Sequence, residues 1–290
     1  NSVAGQTASD AYGFFILSIT TLPADIMEKL IVLGTGNAGA TRCYNTCFIL
    51  LDGKEPLLVD AGGGNAIFTQ LERAGIRPSD IHHAFLTHCH TDHLFGMIWM
   101  LRSVAQNIRG GSYEGTFTLY CHDELAGVVH SVADMTLPAS MTQYIGDRIL
   151  IVPVGDGEER PFGSYRATFF DIGSTNEQFG FMLGLHSGKK LSCLGDEPCT
   201  PRGRKYAAGS GWLLSEAFCL YADRDRFKPY EKHHSTVREA CETATELGVE
   251  NLVLWHTEDT RLPERKTLYT AEAASIFPAT CLSRTIWNPS

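Results

Sequence analysis

The chain has 290 residues, of which 43% are hydrophobic and 20% are charged, and its formal charge is −9. This composition is typical of a globular protein, and no run reaches the ~18 apolar residues that a membrane span requires. The negative charge disfavours broad attachment to nucleic acid, although it does not exclude a small basic pocket. Nine scattered cysteines without CxxC spacing indicate reduced thiols, and we therefore predict a cytoplasmic protein without membrane association.

The first part of the chain predicts strands separated by turns, followed by a helix. The mildly apolar residues 11–22 predict a strand or a docked segment. Residues 65–76 have helical spacing, with Gly75 as the stop signal. Three β-rich runs lie between these two segments, and Asp52-Gly53 predicts a hairpin between the last two: "KLIVLGTG" (29–36), "CYNTCFILLD" (43–52) and "PLLVDAGGG" (56–64).

Further along the chain, strands and helices alternate, and the pattern then repeats in a looser form. This order predicts an α/β fold in which two sheets pack face to face with helices outside, a four-layer αββα sandwich. We expect a single domain made of two similar halves, about 28–165 and 166–275. The later strands are "IHHAFLTH", "TFTLYCH", "ILIVPV", "YRATFFDI", "FGFMLGLH", "KKLSCLGD", "WLLSEAFCL" and "NLVLWHT".

The heptapeptide "THCHTDH" (87–93) is the strongest chemical signal in the sequence. In an extended segment, His88 and His90 project to the same side and can share one ion. Asp92 and His93 follow in the turn and can serve a second ion. Imidazole and carboxylate ligands suit zinc, manganese or iron, and a cage without thiolate is typical of a catalytic site. The alternative is a set of surface histidines in a polar loop.

This motif resembles the HxHxDH signature of the metallo-β-lactamase fold superfamily, and the resemblance extends over residues 30–270. It implies two sheets sandwiched by helices, with a hydrolytic site for one or two divalent metal ions. "LSCLGDEP" resembles the strand that delivers a bridging carboxylate, and "NLVLWHT" the strand that delivers the last histidine. A turn aspartate and a core histidine are the alternatives for these two positions. The implied metal ligands are His88, His90, Asp92, His93, Asp196 and His256.

Two further segments resemble the ribonuclease Z-like branch of the superfamily. "LLSEAF" (213–218) and "HHSTVREA" (233–240) are similar to its HEA and HST segments. The resemblance implies a catalytic proton-transfer chain of Asp92, His234 and Glu216. The alternative for His234 is that it merely precedes a helix that Ser235 caps, with a capping box to the glutamate four positions on.

One departure from the family pattern concerns the first metal site. A third histidine is expected in "FFDIGSTNEQFGF", and Gly173 occupies the matching position. Glycine has no side-chain ligand, so site one would keep His88, His90 and the shared Asp196. We therefore predict an asymmetric centre in which the second metal is held more tightly than the first.

A second departure concerns the substrate. Ribonuclease Z proteins carry a long tRNA-gripping arm between the third histidine and the bridging aspartate, and the segment from Gly173 to Asp196 is too short for one. We therefore predict a metal-dependent phosphodiesterase for a small nucleotide-like or cyclic phosphodiester, and tRNA is disfavoured. The alternatives are a ribonuclease Z-like endoribonuclease, a lactone, thioester or other ester hydrolase, and a catalytically impaired metal-binding protein. A homodimer is an open possibility.

A rival enzyme class is suggested by "GTGNAG" (34–39), which matches the G-x-G-x-x-G motif of dinucleotide-binding folds. That motif requires a helix immediately after it. The residues that follow are β-branched and aromatic and lead to an Asp-Gly turn, so they predict a hairpin and argue against NAD binding.

Overall fold

A computed structural model describes residues 14–20, 27–52 and 55–277 of the chain. Within these ranges the strands form two sheets. The first contains seven strands in the order of the chain, antiparallel from β1 to β4 and parallel from β4 to β7. Its strands are β1 (Phe15–Ser18), β2 (Lys29–Gly34), β3 (Cys47–Leu51), β4 (Pro56–Val59), β5 (His83–Phe85), β6 (Phe117–Cys121) and β7 (Ile149–Pro153).

The second sheet contains six strands of the described chain, ordered β13-β12-β11-β10-β9-β8. It begins as an antiparallel meander and ends with β11, β12 and β13 parallel to one another. Its strands are β8 (Glu158–Phe162), β9 (Tyr165–Asp171), β10 (Phe179–Gly184), β11 (Lys190–Cys193), β12 (Trp212–Glu216) and β13 (Leu252–Trp255).

Helices cover the outer face of each sheet. α2 and α3 pack against the first sheet, with α4 beside them, and α5 and α7 pack against the second, with α8 against α7. The α-helices are α1 (Ile67–Arg73), α2 (Thr91–Arg109), α3 (Asp123–Thr136), α4 (Ala139–Thr142), α5 (Pro201–Ala207), α6 (Arg224–Phe227), α7 (Val237–Glu246) and α8 (Arg265–Ala274). Short 3₁₀ helices span Pro78–Asp80, Tyr221–Asp223 and Pro229–Lys232.

The inner faces of the two sheets form a continuous aromatic and aliphatic core. Phe48 of β3 lies with its ring centroid 5.1 Å from that of Trp255 on β13. The ring centroids of Phe85 on β5 and Phe169 on β9 are 4.9 Å apart. Two further cores lie between the sheets and their helices, one under each helical layer. The central strands are therefore buried on both faces, which explains their continuous apolar sequences. The predicted four-layer αββα sandwich is confirmed.

A close approach between α2 and the end of β4 places the heptapeptide. A Cβ atom on Gly96 would lie 1.7 Å from the carbonyl oxygen of Ala61, so only glycine lets the helix come this near. The Gly96 N–H donates to the carbonyl oxygen of Gly62 at 2.7 Å. The start of α2 is thereby fixed against the edge where β4 and β5 end.

The parallel strands of the second sheet end at the same edge. Cys193 of β11 is in register with Leu214 of β12, and Glu216 of β12 with Trp255 of β13. Asp196 and His256 follow the ends of β11 and β13. This arrangement gathers polar groups from distant parts of the chain, as expected where parallel strands terminate together.

Most local predictions are confirmed within the described residues. "GTGNAG" is followed by a loop and then β3, so the predicted hairpin arrangement is confirmed and the dinucleotide-binding alternative is wrong. The tip of the predicted Asp52-Gly53 turn, residues 11–13 and 21–22 of the first predicted strand, and Cys281 lie outside the described residues. Where the structure describes them, the cysteines are free thiols. No described helix is both long and apolar enough to cross a membrane.

Candidate metal centre

Two groups of potential metal ligands meet at this edge and share Asp196. One contains His88, His90 and Asp196, with ligand atoms that all lie within 4.8 Å of one another. The second meets the same criterion and contains Asp92, His93, Asp196 and His256. These are the two sets that the sequence predicts, and all of them except the exposed His90 are buried.

One oxygen of Asp196 is central to both groups. Asp196 Oδ2 lies 3.4 Å from Nε2 of His88, 3.4 Å from Nε2 of His93 and 3.4 Å from Nε2 of His256. His88 belongs to the first group, whereas the other two histidines belong to the second. A single carboxylate oxygen therefore faces both groups.

The outward nitrogens of these histidines are held by hydrogen-bond partners that the sequence analysis did not predict as site residues. His93 Nδ1 lies 2.7 Å from Asp60 Oδ2, and His88 Nδ1 lies 2.9 Å from Thr87 Oγ1, whose hydroxyl donates to Asp60. His256 Nδ1 lies 3.2 Å from Thr46 Oγ1. With Nδ1 donating outward, the neutral form of each ring presents its Nε2 lone pair to the centre, as in many metal sites.

Backbone strain accompanies this arrangement. Asp60 and His256 adopt positive φ angles of 51° and 53°, respectively. Asp60 directly follows β4, and His256 directly follows β13. Non-glycine residues rarely adopt this conformation, and such strain is concentrated at functional sites, where the surrounding structure imposes it.

Burial and charge perturb the ionisation of the site. Burial lowers the pKa of His256 to about 3, so this imidazole is neutral at neutral pH. Burial also disfavours the charged forms of His93 and Asp196. The carboxylate of Asp60 nevertheless holds the pKa of His93 well above its usual value, and His88 and His256 hold that of Asp196 well below. The buried carboxylates thus need compensating positive charge.

A cavity of about 360 Å³ opens onto the centre. The loop that follows β2 contributes Asn37, Ala38 and Gly39 to its wall. The centre contributes His90, Asp92, Asp196 and His256, and the remaining lining residues are Asn176, Glu197, Phe218, Lys232, His233 and His234.

The predicted proton-transfer residues lie together, but their contacts differ from a direct chain. His234 Nδ1 lies 3.0 Å from the carbonyl oxygen of Asp196 and 3.8 Å from Glu216 Oε2. Glu216 instead accepts a hydrogen bond of 2.8 Å from the N–H of Ser235. The helix cap is Thr236, in a capping box with Glu239, so the predicted cap at Ser235 is wrong by one residue. Glu216 therefore fixes the backbone beside His234 and does not bond its ring.

Glu216 gives the metal-free protein a predictable pH dependence. Complete burial raises its pKa from 4.5 to about 8. Between these values the unfolded chain releases this proton while the folded chain keeps it, so the free energy of unfolding falls as pH rises. The slope is about 1.4 kcal/mol per pH unit from this group. We expect Glu216→Gln to remove this contribution, measured by denaturant unfolding of chelator-treated protein between pH 5 and pH 8.

The matched control for this experiment is Glu242→Gln, which replaces an exposed carboxylate on α7. Its unfolding free energy should follow that of the unmodified protein across the same pH range. Parallel pH profiles for the Glu216→Gln variant and the unmodified protein would contradict the raised pKa.

Gly173, which the sequence analysis assigns to the position of the third ligand, does not face the centre. Gly173 adopts a φ of 75°, and a Cβ atom there would contact the side chain of Arg202, 2.8 Å away. A side chain at this position would therefore point towards α5. The side chains of this segment that reach the centre are Asn176, 3.4 Å from His90 Nε2, and Gln178, which bonds Asp196.

Comparisons with known proteins agree with this fold. The family described as "Anti-Pycsar protein Apyc1" matches residues 28–147, less than half of the chain. Ribonuclease Z of Synechococcus sp. (strain WH7803) is 27% identical over 87% of this chain and 93% of its own length.

Two solved structures share the architecture. The metallo-β-lactamase fold protein YhfI from Bacillus subtilis has a TM-score of 0.69 at 19% identity, covering 89% of this chain and 95% of that protein. Zinc-bound PqqB from Methylobacterium extorquens has a TM-score of 0.66 at 18% identity, covering 90% and 98%. Together with the sequence match to ribonuclease Z, this architecture confirms the resemblance: the chain is a hydrolase of the metallo-β-lactamase fold, related to ribonuclease Z.

Proposed function

We propose that this chain is a phosphodiesterase that hydrolyses a small nucleotide-like or cyclic phosphodiester with a water molecule activated by divalent metal. The observation that carries the proposal is the position of Asp196 Oδ2 between the two ligand groups, at the wall of a cavity that His234 also lines. The proposed ligands are His88, His90, Asp92, His93, Asp196 and His256.

The donor atoms fit a divalent cation. Asp92 Oδ2 and His93 Nε2 are buried without a hydrogen-bond partner, although they lie 3.4 Å apart. Such orphaned polar atoms are destabilising unless a ligand satisfies them. Nitrogen and oxygen donors without thiolate suit zinc first, with manganese or iron as alternatives. When bound, a divalent cation lowers the pKa of a coordinated water so that hydroxide is present at neutral pH.

The protein groups around the cavity have complementary roles in this proposal. Asp92 orients the attacking water and accepts its proton at a carboxylate oxygen. His234 donates Nδ1–H to the Asp196 carbonyl. In its imidazolium form it also carries Nε2–H, passes that proton to the leaving oxygen and is left neutral; burial lowers the pKa of His234 and so makes this proton easier to give up. Its ring stacks on Phe218 with centroids 5.0 Å apart and an interplanar angle of 7°, so its orientation is fixed.

Two observations favour a small substrate. The cavity volume of about 360 Å³ suits one nucleotide-sized ligand. The chain between β10 and β11 makes a tight hairpin, in which the N–H of Leu185 donates to the carbonyl oxygen of Lys189 at 2.7 Å. This hairpin lies within the segment from Gly173 to Asp196, where the family pattern would insert a tRNA-gripping arm, and its short turn supports a small diester over a large RNA.

A ribonuclease Z-like endoribonuclease is the second candidate. The sequence relationship to ribonuclease Z favours it, because the match covers 93% of that relative. It predicts cleavage of tRNA precursors with 3′ extensions, whereas the first proposal predicts cleavage of cyclic nucleotides or other small diesters.

A substrate comparison with added zinc or manganese tests the two candidates. We expect hydrolysis of an aryl phosphodiester and of a cyclic nucleotide, and slow or no cleavage of a tRNA precursor. Preferred cleavage of the precursor would favour the endoribonuclease. Hydrolysis of a thioester or lactone alone would indicate another ester hydrolase, and inactivity on all substrates a metal-binding protein without catalysis.

A further inference from the structure

The segment that lacks the third histidine brings two side-chain amides to the centre. It joins β9 to β10, and its Asn176 and Gln178 contact His90 and Asp196, respectively. Each amide thus touches a member of the first ligand group, the group that contains only three protein ligands.

Gln178 holds Asp196 through both atoms of its amide. It is 1% exposed, its Nε2 donates to Asp196 Oδ1, and its Oε1 accepts from the Asp196 N–H at 3.0 Å. A Cβ atom on Gly195 would lie 2.3 Å from Gln178 Oε1, so a side chain there would displace the amide from Asp196. Because Oδ1 is engaged by Gln178, Oδ2 is the oxygen that faces the three histidine Nε2 atoms.

Asn176 holds His90 from the opposite side of its ring. His90 Nδ1 lies 2.9 Å from His88 Nε2 and therefore faces the ligand group, whereas Nε2 faces the Asn176 amide at 3.4 Å. When Nδ1 presents its lone pair to a cation, Nε2 carries the proton. The Asn176 atom at this distance is Nδ2; a flip of the exposed amide brings Oδ1 to the ring, where it accepts that proton in a hydrogen bond.

We propose that Asn176 and Gln178 are positioning residues that compensate for the missing third imidazole of site one. They do so by orienting its remaining ligands, His90 and Asp196, and not by binding the ion themselves. The inference rests on one part of the proposed function, namely that the two ligand groups bind metal ions. Partners that orient ligands in this way commonly raise metal affinity by about 10–100-fold.

The residues separate the two sites in a testable way. His90 belongs to site one alone, whereas Asp196 belongs to both. Asn176→Ala should therefore weaken only the more weakly bound ion, by about 10–100-fold. Gln178→Met, which keeps the side-chain length but loses both hydrogen bonds, should weaken both ions by a similar factor.

The experiment titrates chelator-treated protein with cobalt, followed by the ligand-field absorbance of the ion and by equilibrium dialysis with zinc. The matched controls are Gln70→Met, at another buried glutamine on α1, and Thr175→Ala, at the exposed neighbour of Asn176. Both controls should bind metal as the unmodified protein does. Circular dichroism establishes that each variant is folded, and Asn176 is exposed, so its replacement does not disturb the core.

Unchanged affinity at both sites in Asn176→Ala and Gln178→Met would overturn the inference. Loss of both ions in Asn176→Ala would also overturn it, because the amide would then act on more than His90. Two ions bound by a protein that hydrolyses no phosphodiester would overturn the proposed function and leave this inference standing. An unmodified protein that binds no ion would overturn the metal centre itself.

Discussion

Asp196→Ala is expected to abolish tight binding at both metal sites and to lower kcat for an aryl phosphodiester by at least about 10⁴-fold. The reason is that Asp196 Oδ2 lies 3.4 Å from one histidine of site one and from two of site two. Loss of this oxygen removes a ligand from every ion. The fall in kcat should therefore exceed the roughly 10²–10⁴-fold contribution of a single proton-transfer group.

Plasma mass spectrometry of dialysed protein and steady-state kinetics measure these two effects. Asp134→Asn, at an exposed aspartate on α3, is the matched control and should retain both metal and activity. If Asp196→Ala kept two tightly bound ions, the assignment of Asp196 as a bridging ligand would be wrong.

His234→Ala is expected to lower kcat by roughly 10²–10⁴-fold, the usual contribution of a general acid or base. Metal content and KM should change little, because His234 lies outside both ligand groups. Its contacts to the Asp196 carbonyl and to Phe218 orient the ring at the cavity wall, and its ring centroid lies 4.9 Å from that of His256 without a hydrogen bond to it.

A leaving-group comparison sharpens this experiment. A substrate with a strongly acidic phenol leaving group needs little protonation, so His234→Ala should impair its hydrolysis less than that of an alkyl ester. His130→Ala, at an exposed histidine on α3, serves as the control. An equal loss on both substrates, or near-full turnover on both, would remove His234 from the proton transfer.

Much of the candidate centre could be predicted because four of the six proposed ligands follow the end of an apolar strand, and the other two, Asp92 and His93, lie in the first turn of α2 directly after them. His88 and His90 follow β5, Asp196 follows β11 and His256 follows β13. An apolar run that ends in a histidine or aspartate is visible in one sequence, and the resemblance of "THCHTDH" to a known motif supplied the pairing between distant segments. The strand pattern likewise predicted two sheets with helices outside, which the structure confirms.

The residues that orient those ligands carried no comparable signal. Thr46 is 210 positions from His256 in the chain, and Asp60 is 33 positions from His93. A threonine or glutamine within a β-rich run is an ordinary strand residue. Its role arises only when sheet packing brings its hydroxyl or amide to a ring nitrogen or carboxylate.

The amino-acid sequence by itself determined which strands form, where the chain turns and which histidines and carboxylates stand at strand ends, because these follow from local periodicity and turn chemistry. Only the tertiary structure decided that one oxygen of Asp196 faces both groups, that Glu216 bonds a backbone N–H beside His234, and that Gln178 approaches from the segment after β9. The physical reason is that hydrogen-bond geometry is fixed to within a few tenths of an ångström by the packing of elements far apart in the chain, and no local pattern records it.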